Sequence, residues 1–192
     1  MMRRRGRVGQ PRVFATLTAI VGNRRRGRWP STGEDRAVAT STAAAIDALD
    51  RLQHLRVELG APWPQLVVGP AGVSIVDVHA HRGPVRLTNS GLHGESGLFC
   101  GPCEDARRVA RAARRLLWDV EGGGDVPVRV LAVVPPGTRV ARDPGVGDLV
   151  DAVPADRLAD RLVRGPVLPM ALVDRAFTRL SVLSGTAAVP AP

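Results

Sequence analysis

At 192 residues the chain has room for one domain with appendages, and 44% hydrophobic content is enough for a packed core. No apolar run approaches the ~20 residues that cross a bilayer, so composition excludes a membrane span and points to a soluble, cytoplasmic protein. The net charge of +9 is local: residues 1–30 hold nine Arg and no acid, while the other 18 Arg balance 18 Asp and Glu.

The chain contains no Lys, so no mechanism that requires a lysine ammonium can operate. The first 30 residues, MMRRRGRVGQPRVFATLTAIVGNRRRGRWP, place a ten-residue apolar stretch between two Arg clusters. A secretory signal would not carry the second cluster. The segment is expected to be a disordered basic arm whose charge draws it to phosphate backbones.

Ser31 and Glu34 fit a capping box. The apolar positions Val38, Ala45, Ile46, Leu49 and Leu52 recur at helical spacing, which predicts a helix over residues 34–53. Two apolar runs then flank Gly69, Pro70, Ala71 and Gly72, predicting a β-hairpin. A third strand is expected at 84–88. A second helix follows, with Ala106, Val109, Ala110, Ala113, Leu116 and Leu117 as its apolar stripe and five arginines around the rest. Glu104 and Asp105 lie in its first turn, where the helix dipole favours negative charge. Residues 127–134 read as a buried strand, a short strand is expected at 146–152, and helices are expected at 155–164 and 169–183. The tail 185–192 is expected to be flexible. This order predicts an α/β domain over residues 31–184.

The second hairpin run ends in Asp77, Val78 and His79, and alternation sends Asp77 and His79 to one face. The wording of this region, PQLVVGPAGVSIVDVHAHRG, together with the element order, resembles the nuclease-related domain (NERD) family. The resemblance covers about residues 33–135, and its most specific parts are the GPAGV turn and Arg82-Gly83 after the acidic strand.

That resemblance implies a restriction-endonuclease-like fold, a mixed sheet flanked by helices. In that fold acidic residues hold a divalent cation, Mg or Mn, and a Lys orients the attacking water for phosphodiester cleavage. By position this chain keeps Glu34 and Asp77. At the metal Asp it has Pro64, at the neighbouring His it has Gln65, at the Lys it has His79, and at the Gln of the second helix it has Asp105. The resemblance therefore implies a divergent member with a degraded nuclease centre, a pseudoenzyme that binds DNA or a partner. The alternative is a metal-dependent nuclease using Glu34, Asp77 and His79, with Glu34 and Asp77 on the metal. Bland roles also serve both acids: a helix cap for Glu34, and strand-end solvation or an Arg pair for Asp77.

Cys100, Gly101, Pro102 and Cys103 form the CGPC tetrapeptide of thioredoxins, where a helix N-terminus lowers a thiol pKa. A βαβ unit should precede that motif, and a glycine-rich loop precedes this one, so incidental thiols are the plainer expectation. The same cysteines have zinc-ligand spacing, and with His79 and His81 they would make a closed structural site, with His93 a further upstream histidine. The Arg-rich face of the second helix is expected to be solvated. Trp63 and Trp118 are expected to pack at the core or its edge.

Overall fold

The computed structural model describes residues 33–50, 55–58, 64–81, 83–94, 99–101, 104–147 and 149–184. The basic arm, the Ser31 cap, Trp63, Cys103 and the tail lie outside the described residues. Thirteen main elements run in chain order. They begin with α1 (Gly33–Asp50), β1 (Leu55–Glu58), β2 (Gln65–Gly69) and β3 (Gly72–Val78). Three short strands follow, β4 (Val85–Leu87), β5 (Leu92–Gly94) and β6 (Phe99–Gly101), and then α2 (Glu104–Leu117). The chain continues with β7 (Val128–Val134), β8 (Val140–Arg142), β9 (Val150–Pro154), α3 (Leu158–Val163) and α4 (Met170–Leu180).

The first sheet has the order β1-β2-β3-β7-β9. Its first three strands are antiparallel, and β3, β7 and β9 are parallel. The β2–β3 hairpin pairs Gly69 with Gly72, leaving Pro70 and Ala71 as a two-residue loop. Gly72 has φ +107°, and a Cβ there would lie 2.5 Å from the Pro127 carbonyl. Only glycine lets the hairpin approach the start of β7 that closely, and Val73 N–H donates to the same carbonyl at 2.8 Å.

Helices cover both faces of this sheet. On one face Leu66, Val68, Val73, Ile75, Val130 and Ala132 pack with α2 and α4. On the other, Val67, Val76, Leu131 and Val133 pack with Val38 and Ile46 of α1 and Leu158 and Leu162 of α3. A sheet buried on both faces needs apolar side chains at consecutive positions, which is why β3 and β7 read as mostly apolar runs, interrupted by Ser74 and Asp77 in β3 and Arg129 in β7. The result is a mixed α/β architecture with the core in two layers.

The second sheet has the order β6-β5-β4-β8. Its chain leaves β3 through residues 79–84 and returns through β8 just after β7, so it stands at the C-terminal end of those two strands. Only its inner face is apolar: Val85, Leu87 and Leu92 join the α2 side of the core, while Arg86 is exposed and His93 half-buried on the outer face.

Several expectations need correction. The strand expected at 84–88 is real but belongs to the second sheet; β1 completes the antiparallel part of the first. β1, β5, β6 and β8 carry no long apolar period, and tertiary pairing alone makes them strands. The strand expected at 146–152 begins at Val150 and ends at Pro154. A strand, not a loop throughout, precedes the second helix, with Cys100 on β6. Trp118 is 79% exposed rather than packed, because α2 ends at Leu117 and its apolar stripe has already turned inward.

Candidate functional site

Asp77 lies one residue from the end of β3, on the face shared with Val73 and Ile75. Strand β3 ends at Val78, but His79 stays anchored, its N–H donating to the Val133 carbonyl at 2.8 Å. That bond keeps the alternation running one residue further and brings the imidazole back over Asp77. His79 Nε2 and Asp77 Oδ2 are 3.5 Å apart, with side chains only 9% and 8% exposed. The expected pairing of these two residues is therefore present, and it is buried.

The neighbours of Asp77 on the adjacent strands are apolar. Its neighbour on β7 is Ala132. On β2 the register pairs Gln65 with Val76, and continuing it by one residue sets Pro64 opposite Asp77. Pro64 is buried and has no ligating atom on its side chain. Gln65, 4% exposed, shares the opposite face with Val76, so it points away from Asp77. Glu34 opens α1, and its side chain lies outside the described residues. Asp105, half-buried, sits in the first turn of α2. Among the described residues no three His, Cys, Asp or Glu side chains gather closely enough to hold a metal ion. His81 is half-buried two residues beyond His79. Cys100 falls on β6, and the zinc set that would include Cys103 lies partly outside the described residues.

Two polar groupings escaped the reading of the sequence. The first is built on Arg129 of β7, paired in register with Ser74 of β3. Its Nε donates to Ser74 Oγ at 3.0 Å, Nη1 to the Arg164 carbonyl at 2.8 Å and Nη2 to the Leu162 carbonyl at 3.0 Å. A guanidinium thus caps the C-terminus of α3, where unpaired carbonyls collect partial negative charge. Burial, followed by the nearby Arg161 charge, holds the Arg129 pKa below its usual value, and Asp151 acts in the other direction. Arg161 pairs with Asp151 at 2.7 Å beside a cleft of about 540 Å³ that also takes in Arg157 and Arg164.

The second grouping lies on the outer face of the second sheet. Arg86, His93 and Arg139 surround a cleft of about 420 Å³ that also includes Thr88 and Ala141. The β4–β5 turn is tight, with Thr88 and Gly91 exchanging backbone hydrogen bonds at 2.9 and 3.3 Å. Arg107 of α2 donates to the Asn89 carbonyl and ties the turn to the body of the protein. The visible signal for both groupings was a polar residue inside a strand: Ser74 and Arg129 in otherwise apolar runs, and Arg86 in PVRL. No family model, curated protein or solved structure matches the chain.

Proposed function

We propose that the chain is a divergent NERD-like protein of restriction-endonuclease-like fold, with a degraded nuclease centre, that binds DNA or a partner without cutting. The observation that carries this reading is the register that sets Pro64 opposite Asp77. A divalent cation of the hard, oxygen-preferring kind is held by several oxygen ligands, with carboxylates prominent among them. Among the described side chains the centre offers one carboxylate beside an imidazole, which does not fit that requirement for Mg or Mn. Within the first sheet and its helices, the order α1, three antiparallel strands, α2 and a parallel strand, with β4–β6 inserted before α2, supports the fold assignment.

DNA binding rests on charge. Arg108, Arg111 and Arg115 stand exposed along the outward side of α2, and residues 1–30 add nine further arginines. Such contacts go to phosphates, carry no base readout and weaken steeply with salt. In fluorescence anisotropy with duplex DNA, affinity should fall linearly on a log–log salt plot and drop further when residues 1–30 are removed. Sequence-specific binding with a flat salt response would contradict it.

A second reading, a divalent-metal-dependent phosphodiesterase using Glu34, Asp77 and His79, is favoured by one observation, the 3.5 Å approach of His79 to Asp77. Plasmid DNA incubated with the protein and Mn²⁺, beside Asp77→Ala, separates the two. Nicking lost in Asp77→Ala establishes the enzyme; intact plasmid with both proteins supports the non-catalytic reading.

A further inference from the structure

The outer face of the second sheet gathers two arginines, Arg86 and Arg139, beside His93. Arg86 stands directly across from His93 on one side and from Ala141 on the other. Arg139, two residues before Ala141, shares that face by alternation. Two guanidinium charges on one face of the sheet repel each other. The neutralising groups are few. Arg86 meets Asp143 at 3.4 Å, but the two side chains are 65% and 38% exposed, where such a pair holds weakly. The Arg139 side chain engages no partner among the described residues, and the described lining of the cleft contains no carboxylate.

A directed chain of hydrogen bonds orients the imidazole. Thr88 Oγ1 donates to the Gly91 carbonyl at 3.1 Å, and a carbonyl can only accept. With its one proton spent, Thr88 Oγ1 accepts from the Ser90 hydroxyl at 2.9 Å. Ser90 Oγ, its own proton spent in turn, accepts from His93 Nε2 at 2.9 Å. Each hydroxyl has one proton to give, so His93 carries a hydrogen on Nε2. Ser90 therefore has no base at that nitrogen, and the pair is not a serine nucleophile with its activator. It is a brace that fixes the imidazole beside Arg86.

We propose that this open face binds a phosphate monoester group, with the guanidinium forks of Arg86 and Arg139 on its oxygens and His93 at its flank. Guanidinium forks match phosphoryl oxygens in geometry and charge, and two arginines against the one exposed carboxylate of Asp143 among the described residues favour a dianion over the single charge of an internal phosphodiester. At about 420 Å³ the cleft falls within the usual ~300–1,000 Å³ of small-ligand sites, which leaves room for the esterified group. That group is either a small metabolite or the terminal phosphate of a nucleic-acid strand. The proposal does not depend on the nuclease-domain reading, since no cleavage is involved.

The test is calorimetric titration of the full chain with inorganic phosphate, with a small phosphate monoester, and with one oligonucleotide bearing a 5′-phosphate or a 5′-hydroxyl. Inorganic phosphate and the monoester should saturate one site. Arg86→Ala and Arg139→Ala should each weaken binding about tenfold or more, as expected for a charged hydrogen bond. Asp143→Ala should leave affinity unchanged or raise it. A preference for the 5′-phosphate that disappears in the Arg86→Ala/Arg139→Ala double variant identifies a strand terminus as the source. Equal binding of both oligonucleotides beside tight monoester binding identifies a small molecule. Lack of saturation at roughly 10 mM phosphate, or equal affinity in the wild type and a double variant with an unchanged circular-dichroism melt, overturns the proposal.

Discussion

The two sheets treat polar side chains in opposite ways. In the first, covered by helices on both faces, two polar groupings are gathered locally: Asp77 lies 3.5 Å from His79, and Arg129 donates to Ser74 and two carbonyls of the α3 end. In the second, whose outer face is open, Arg86 and Arg139 collect beside His93, and the exposed Asp143 pairs with Arg86. An unmatched charge is too costly to keep inside a covered sheet, so polar residues there report on packing. On an open face water tolerates the charges, and a like-charged group there points to an outside partner.

This contrast can be broken by substitution, and the core should show the largest effect. Ile75, fully buried in the first sheet, should cost ~2–5 kcal/mol when cut to Ala, read by urea denaturation. Arg129→Met should cost about 1–3 kcal/mol, because it strands the carbonyls at the α3 end. Arg129→Lys should not restore the loss, since an ammonium cannot reach three acceptors in a fixed fork.

The Asp77 end should respond to repair. Pro64→Asp puts a carboxylate opposite Asp77, and Mn²⁺ affinity measured by calorimetry should rise at least tenfold, about 1.4 kcal/mol. No gain in Pro64→Asp would show that the strand register does not bring the two side chains together. Ser90→Ala removes the middle of the directed hydrogen-bond chain and should cost ~0.5–1.5 kcal/mol. In the wild type, ¹⁵N spectra should show His93 protonated at Nε2; a signature of the other tautomer would reverse the chain. Smallest of all, Arg139→Ala should change stability by no more than about 0.5 kcal/mol, despite its expected effect on phosphate.

Much of the fold was legible where the signal is local. The hairpin was written in two apolar runs around a Pro-Ala turn between glycines, and α2 in a stripe repeating every three to four residues. The 127–134 strand showed itself as an apolar run broken by Arg129. Of the short strands, β4 was legible as the strand expected at 84–88, and the others were not. β5, β6 and β8 have three residues each, too few for a period to emerge, and β1 sits in a stretch punctuated by prolines. The candidate site was legible in part. Asp77 and His79 share a face because alternation is a property of one strand, but the depth of their burial depends on the helices laid over that strand.

The sequence by itself determined that residues 64–79 form a hairpin carrying Asp77 and His79 on one side, that α2 presents arginines outward, and that the basic excess resides in residues 1–30. These follow from turn chemistry, periodicity and counting, all of which act over a few residues. Only the tertiary structure decided that Pro64 stands against Asp77, that the strand after the hairpin leaves for a second sheet, and that Arg86, His93 and Arg139 share one cleft. Those are matters of register between separate strands. Register depends on which long-range pairing buries the most apolar surface with its backbone hydrogen bonds satisfied, a competition no single segment can report.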